Sequence, residues 1–336
     1  MAKSPKNTWP RQRSLELVLP ATSANLGPAF DSAALAFSLY LTIKAHPAAD
    51  FSIAAKGRDA QLCAALENNL VLDTYRDILR AERKPVVPLA LQLRNEIPIG
   101  KGCGSSAAAR LAGIALAIHF GDFRWPDTRI IGEAARREHH PDNAAACWMG
   151  GLVVARMNRE NESQIVRFEP KGNWPLLLAI PPESLSTEEA RRVLPAQYSR
   201  SDVIANVQNS MFLLAAFSQG RRDLLPTALA DRVHQPYRAH LCPLLPALQQ
   251  LVGSYGVAGV ALSGAGPSVL IFLDPNSTLK KVSAAIATHL KSHDLAAELL
   301  LTEISARGAR EGKDWRKKQT NHSSNSRGTA NSSSRN

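Results

Sequence analysis

Pro98-Ile99-Gly100-Lys101-Gly102-Cys103-Gly104-Ser105-Ser106-Ala107-Ala108 sets three glycines at every second position, then two serines, then good helix formers to about His119. Glycines in that rhythm let a backbone turn tightly and bring its N–H groups against a ligand with no Cβ in the way. The serines stand where the first helical turn leaves N–H groups without partners, and the helix dipole adds partial positive charge there. A loop of bare amides leading into a helix N-terminus is a place to hold phosphate. Lys101 adds a mobile cation inside it. The plainer alternative is a glycine-rich turn before an ordinary packed helix. The stretch is no Walker A loop, which ends in Gly-Lys-Ser/Thr, and no dinucleotide fingerprint. A nucleotide reading needs support from elsewhere in the chain.

Leu89 to Arg94 alternates with period two, as a half-buried strand does, and feeds the loop through Glu96-Ile97-Pro98. Upstream, Leu15–Leu19 reads as a short strand ending at a Pro20-initiated loop. Ser38–Ala45 and Phe51–Ala55 read as extended, and Leu70–Glu82 as a helix. Downstream, Asp127 caps an expected helix over Thr128–Glu138. Strands are expected at Gly151–Ala155, Leu176–Ile180, Val257–Leu262 and Val269–Leu273, with helices at Ser201–Gln219, Leu244–Ser254 and Leu279–Lys291. Strands mixed with helices and joined by short turns favour an α+β fold. The domain seam is expected between Met157 and Lys171.

The chain has 336 residues, 45% of them hydrophobic, enough for two domains with their own cores. No apolar run approaches the ~20 residues of a membrane span, and with no apolar segment after the charges near Met1 a secretory signal is not expected. Cys63, Cys103, Cys147 and Cys242 lie far apart without Cys-x-x-Cys spacing, so reduced thiols in a cytosolic protein are expected, with Cys103 partly exposed. The net charge of +11 points toward nucleic acid until its distribution is followed. Residues 1–13 carry four bases and no acid, and residues 307–336 carry eight bases against two acids. That leaves 28 bases against 27 acids between 14 and 306. The basicity belongs to the ends. From Arg307 onward the Arg/Lys/Gly and then Ser/Asn-rich composition predicts disorder.

Other polar groups gather in four places. Leu19 to Asp31 sets Thr22, Ser23, Asn25 and Asp31 in one expected loop, where Asn25 can donate and accept and Asp31 can receive an ammonium. Equally, such residues cap turns. In Glu138-His139-His140-Pro141-Asp142-Asn143 the adjacent histidines diverge, which argues for a substrate loop rather than a transition-metal site. Ser263-Gly264-Ala265-Gly266-Pro267-Ser268 lies between two apolar strands, either as a tight hairpin or as a close approach for phosphate. Thr187 and Arg191 share one face if helical. Arg238, in His234-Gln-Pro-Tyr-Arg238, is a second carboxylate fork if the fold brings it near.

Three blocks in this order resemble the GHMP kinase superfamily: Pro20-Ala-Thr-Ser-Ala-Asn-Leu-Gly-Pro28, the stretch at 98–108, and Leu262-Ser-Gly-Ala-Gly-Pro-Ser268. Within it the chain is most similar to the homoserine kinases, through Asn25–Asp31, His140–Asn143, Ser186–Arg191 with Val193-Leu-Pro195 following, and His234–Arg238. The match spans roughly residues 15–305. The resemblance implies a two-domain α+β GHMP kinase fold. Residues 14–165 would form an ATP-binding domain like the second domain of ribosomal protein S5, and 166–306 a ferredoxin-like domain, flanked by basic ends at 1–13 and 307–336. It implies transfer of the γ-phosphoryl of ATP, with Mg²⁺, to the side-chain hydroxyl of L-homoserine, a step toward threonine, usually in a homodimer.

Carried over residue by residue, Pro98, Ile99, Gly100, Lys101, Gly102, Cys103, Gly104, Ser105, Ser106, Ala107 and Ala108 would surround the phosphates. Asn69 would border the adenine. Ser106 would hold Mg²⁺ with Glu133, or failing that Glu138. Asn25, Asp31, His140, Asn143, Thr187, Arg191, Arg238 and Gly264 would form the amino-acid pocket, with Asn143 and His140 near the reacting hydroxyl. No aspartate stands at the Asn143 position as general base, and Asp142 is expected to point away. Ala29, Ala34 and His139 stand where the family has glycine, and Cys103 where it has leucine. Two alternatives stay open: a related kinase acting on another small hydroxyl compound, and an RNA-binding protein on an S5-like fold.

Overall fold

A computed structural model describes residues 14–158 and 162–311. Leu15, Leu17 and Leu19 are buried while Glu16 and Val18 face solvent, so the first strand, β1 (Leu15–Ala24), begins with one face wet. It does not stop at Pro20. A register shift between Pro20 and Ala21 absorbs the missing N–H, and the strand continues through Thr22 and Ser23, now buried on both faces.

β2 (Ala33–Pro47) is the central strand of the first sheet. It pairs with β1 along its length, with β4 at one end and with β5 at the other. The order is β3–β4–β2–β5–β6, with β1 beside β2; β3 (Ser52–Gly57) and β4 (Leu89–Asn95) run parallel, the other pairs antiparallel. Helices α1 (Ala60–Ala64) and α2 (Leu70–Ala81) separate those two strands. After β4 the glycine loop leads into α3 (Ser105–Gly121), which is buried on every side from Leu111 onward. Its apolar surface all round is what a core helix requires. Then come α4 (Asp127–Glu138), α5 (Asp142–Met149), β5 (Leu152–Met157) and β6 (Ser163–Phe168). Asp127 opens α4 rather than capping it, and its carboxylate accepts from Trp148 Nε1 of α5 at 2.8 Å. α5 and β6 were not anticipated: Asp142 starts a helix before the apolar run, and β6 is a short, half-exposed edge strand.

The second sheet starts with β7 (Pro175–Ile180), so the 165/166 boundary falls inside β6, and the chain leaves the first sheet only after Phe168. There follow α6 (Thr187–Arg192), α7 (Arg200–Gln219), α8 (Leu225–Ala228), α9 (Gln235–Arg238), α10 (Leu244–Gln249), β8 (Val257–Leu262), β9 (Val269–Leu273), α11 (Leu279–Ser292) and β10 (Glu298–Glu303). The antiparallel order is β10–β7–β9–β8. Period two divides this sheet between two cores. Leu176, Leu178 and Ile180 join the large core that also holds the first sheet, α3 and Leu213, Ala216 and Phe217 of α7. Leu177 and Ala179 face a second core with Leu244, Leu248, Val282 and Ile286. α10 ends at Gln249, earlier than Ser254, and β10 was missed because its residues are at best half-buried.

The last described residues return to the first sheet. Ser305 N–H donates to Ala36 O at 2.9 Å, and Ala309 is 1% exposed in a short 3₁₀ turn. The disorder expected from Arg307 therefore does not hold for 307–311; residues 1–13 and 312–336 lie outside the described residues. No helix among the described residues is long and apolar enough to cross a membrane.

Candidate active site

The glycine loop bends as its spacing requires. Gly100, Gly102 and Gly104 have φ of +70°, +74° and +72°. A Cβ at Gly102 would strike the carbonyls of Ser263 and Gly266, and one at Gly104 the hydroxyl of Thr22. Both positions exclude any side chain by crowding as well as by φ. The loop's carbonyls are tied back, away from a ligand. Gly100 O accepts from Leu185 N, Lys101 O from Ser268 N, Gly102 O from Ser263 Oγ at 2.8 Å, and Cys103 O from Thr22 N at 3.1 Å. The N–H groups from Gly100 to Ala107 donate to no backbone carbonyl among the described residues. They lie at the N-terminus of a 17-residue helix, where an anion completes their hydrogen bonding.

These amides line a cavity of about 440 Å³, together with residues from both sheets' domains. Of the expected site residues, Asn25, Asp31, Asn69, Ile99, Gly100, Gly102, Cys103, Gly104, Ser105, Ser106, Ala107, His140, Asn143, Thr187, Arg191, Arg238 and Gly264 all line it. Pro98 and Lys101 instead line a groove behind the loop. Lys101 Nζ donates to the carbonyls of Pro182 and Glu183, so its charge clamps the loop to the second domain and faces that groove rather than the cavity. Ala108 is fully buried in the core beneath the loop. Cys103 is buried too, contrary to the partial exposure expected, and burial pushes its thiol up to about 12.

Asn69 uses all its polar capacity at home. Its Oδ1 accepts from Val71 N and Leu72 N to cap α2, and its amide nitrogen donates to Cys63 O and Ala65 O. It contributes to the cavity wall with its side-chain polar groups already paired. Asn25 is similarly a clamp: its Nδ2 donates to Gly264 O at 2.7 Å and its Oδ1 accepts from Asp31 N at 2.9 Å, which ties the first loop to the 263–268 turn.

Glu133 does not meet Ser106. It is held by Arg136 and Arg137, and although burial opposes ionisation, their hydrogen bonds bring its carboxyl below the usual range. Glu138 takes that place: Ser106 Oγ donates to its Oε1 at 2.6 Å, and Arg110 Nε donates to the same oxygen. Serine hydroxyl and carboxylate side by side at a helix N-terminus are hard oxygen donors of the kind Mg²⁺ prefers.

Asp142, expected to point away, lies on the cavity wall at 1% exposure. Its Oδ1 is 2.7 Å from His140 Nδ1 and accepts from Asn143 N at 2.6 Å, while its Oδ2 is buried without a partner. Burial lowers the affinity of the His140 ring for a proton, yet Asp142, with Asp31 and Glu138 farther out, reverses the balance and raises its pKa. Asp31, His140 and Asp142 each bring one polar atom within 4.8 Å of the others, an anionic corner. Asn143 Oδ1 accepts from Thr22 Oγ1 at 2.7 Å, which leaves its Nδ2 as the donor on the cavity side. No sequence signal marked Thr22 as the residue that orients this amide.

α6 forms behind Ser186, whose hydroxyl accepts from Glu189 N, and so places Thr187 and Arg191 on the cavity. Arg191 Nη2 lies 2.6 Å from Asp31 Oδ1. Arg238, 1% exposed, has its Cζ 5.3 Å from the centre of the Phe30 ring, the same distance as Arg191. The two forks are thus brought together around one aromatic ring. Burial first, then the nearby Arg191 charge, lower the Arg238 pKa to about 10, still charged at neutral pH. Of the three departures from glycine, Ala29 and Ala34 keep negative φ, and only His139, at φ +69° ending α4, occupies a glycine-favouring conformation.

The family profile for the GHMP kinases N terminal domain matches residues 69–151, and that for the GHMP kinases C terminal domain matches residues 213–292. A homoserine kinase of Solibacter usitatus is 40% identical over 305 residues, covering 91% of this chain and 98% of that protein. The chain belongs to the homoserine kinase family. A homoserine kinase of Deinococcus radiodurans is 35% identical over 86% of this chain and 94% of its own. The fold agrees with a crystal structure of homoserine kinase from Cytophaga hutchinsonii, with a TM-score of 0.75 at 22% identity, covering 92% of this chain and 98% of that one. That likeness of fold extends over both sheets.

Proposed function

We propose that the protein transfers the γ-phosphoryl group of ATP to the side-chain hydroxyl of L-homoserine, giving O-phospho-L-homoserine on the route to threonine. One observation carries this reading. A single cavity is lined both by unpaired loop amides at a helix N-terminus and by two arginines with a carboxylate, so it suits a polyphosphate beside an amino acid.

Asp31 and Arg191 pair with one another. An amino-acid zwitterion satisfies both at once: its ammonium takes Asp31, in the anionic corner with Asp142, and its carboxylate takes Arg191 and Arg238. Asn143 Nδ2 and His140 then face the reacting hydroxyl. Asn143 cannot take a proton. In the neutral His140 ring, with Nδ1–H on Asp142, Nε2 keeps a lone pair to accept the hydroxyl's hydrogen bond. Rate then comes from alignment and from amide stabilisation of the transferring group, in keeping with a loose transition state; the hydroxyl proton leaves late, to phosphate or solvent.

Ser106 and Glu138 are the residues that would hold Mg²⁺. The ion would neutralise charge on the phosphate oxygens. Coupled ADP release across homoserine, serine, threonine and mevalonate tests the assignment. Homoserine-dependent turnover at least tenfold above the others is expected, and its absence removes the reading.

A homodimer in the cytosol completes the proposal. α7 exposes Val203, Ile204, Val207, Met211 and Phe212, and from Val203 to Gln219 it carries no charged residue, which a second copy of this neutral stripe would cover. Sedimentation equilibrium reads this directly. The four free thiols support a reducing compartment.

A further inference from the structure

His234 is fully buried yet touches both halves of the amino-acid pocket. Its Nδ1 lies 3.1 Å from Arg238 Nη1, and its Nε2 lies 2.7 Å from the carbonyl of Gly27. A guanidinium only donates, so Nδ1 must be the acceptor. A carbonyl only accepts, so Nε2 must carry the hydrogen. The two partners leave one tautomer, the neutral ring with Nε2–H.

Gly27 lies in the loop that ends at Asp31, and the ring stack continues the link: Phe30 lies on the imidazole at 5.1 Å and 26°. Below the ring, Asp231 fixes the backbone by accepting from His234 N at 2.9 Å and from Val233 N at 2.9 Å. Arg238 Nε donates to Ala190 O at 2.8 Å, beside Arg191 on α6. With Nε and Nη1 engaged, Nη2 is the guanidinium nitrogen left to meet a carboxylate on the cavity side.

We propose that His234 is a positioning residue for the amino-acid substrate: a neutral two-ended strut that holds Arg238 at a fixed distance from the Gly27–Asp31 loop. It thereby sets the spacing between the groups that receive the substrate's carboxylate and its ammonium. The proposal rests on the reading of Arg238 and Asp31 as substrate contacts. The strut does not touch the phosphate loop, so its loss acts on one substrate and not on the other.

The test compares steady-state KM and kcat for homoserine and for ATP in His234→Leu, His234→Gln, His234→Asn and Arg238→Ala, with circular dichroism and thermal melting to check folding. His234→Leu fills the space without polar atoms and is expected to raise homoserine KM about tenfold, the loss of a hydrogen bond to a charged group, with ATP KM unchanged within about twofold. His234→Gln supplies both an acceptor and a donor and is expected to recover most of that loss. Should His234→Leu fail to fold, Gln against Asn decides, since the shorter amide reaches one partner only and is expected to keep the raised homoserine KM. Equal homoserine KM in wild type and His234→Leu, equal values for Gln and Asn, or a uniform loss in kcat and both KM values each overturn the strut. If Arg238→Ala leaves homoserine KM unchanged, the reading of Arg238 itself fails.

Discussion

The loop proposed to hold phosphate and the pocket proposed to hold the amino acid share a cavity but are made in opposite ways. Gly100 to Ala107 is one uninterrupted run whose functional groups are backbone N–H, exposed because three glycines take positive φ and the carbonyls are bonded elsewhere. The amino-acid pocket draws on Asn25 and Asp31 between β1 and β2, His140 and Asn143 around α5, Thr187 and Arg191 on α6, and Arg238 on α9. In the proposed reading its working groups are side chains, each hydrogen-bonded to a partner that need not touch substrate: Asn143 to Thr22, His140 to Asp142, Arg238 to His234. A backbone site is damaged by adding atoms and a side-chain site by removing them.

The sharpest break of that contrast is Gly102→Val. A side chain there meets two carbonyls at a strained φ, and activity is expected to fall on the order of a thousandfold, measured as kcat/KM for ATP, because alignment of the triphosphate is lost. Next, Arg191→Ala should raise homoserine KM by about 10–100-fold through loss of a charged hydrogen bond, with ATP KM unchanged; a matching rise in ATP KM would merge the two regions. Glu138→Gln should raise the Mg²⁺ concentration for half-maximal rate by about tenfold. Glu133→Gln, which loses only pairs to Arg136 and Arg137, should leave that value alone.

A pH experiment sharpens the buried side of the comparison. Burial first, with the Arg238 charge, pushes the His234 pKa down against the opposing Asp231 carboxylate 3.5 Å from Nε2, so the native ring stays neutral while the unfolded one takes a proton below about pH 6.5. The unfolded state then binds more protons, and stability falls as pH drops from that value toward the native pKa. His140, whose pKa is raised, works in the other direction and is present in both proteins compared. Denaturant titrations at pH 7 and 5 should therefore show His234→Gln losing less stability than wild type, by a difference on the order of 1 kcal/mol. The smallest effect belongs to Lys101→Ala. With its ammonium on the Pro182 and Glu183 carbonyls, ATP KM should change less than about threefold, as for other exposed polar contacts.

How far each region could be read in advance follows from this difference. Glycine spacing announced the loop because φ > 0 is a property of single residues. The direction of Lys101 was not legible in the same way, because a long side chain can turn to either face of a loop and the second domain offers two carbonyls. Glu133 and Glu138 are both acids on α4, and only the helix end, where the chain turns at His139, places one against Ser106. Asp142, adjacent to Asn143 in sequence, was expected to point away. The chain instead begins α5 there, and Asp142 turns back beneath His140.

By itself, the sequence determined what is local or repeated: the alternation of the strands, the left-handed glycines, the polar clusters, the neutral body between basic ends, and the ordered motifs that resemble one family. Each depends on a residue and its near neighbours. The tertiary structure alone decided which charges meet. Arg238 lies 207 positions from Asp31 along the chain, and His234 spans from Arg238 to Gly27 only after both sheets have packed on a common core. Direction and partner for a side chain are fixed by packing across that core, where a buried donor without an acceptor is too costly to persist.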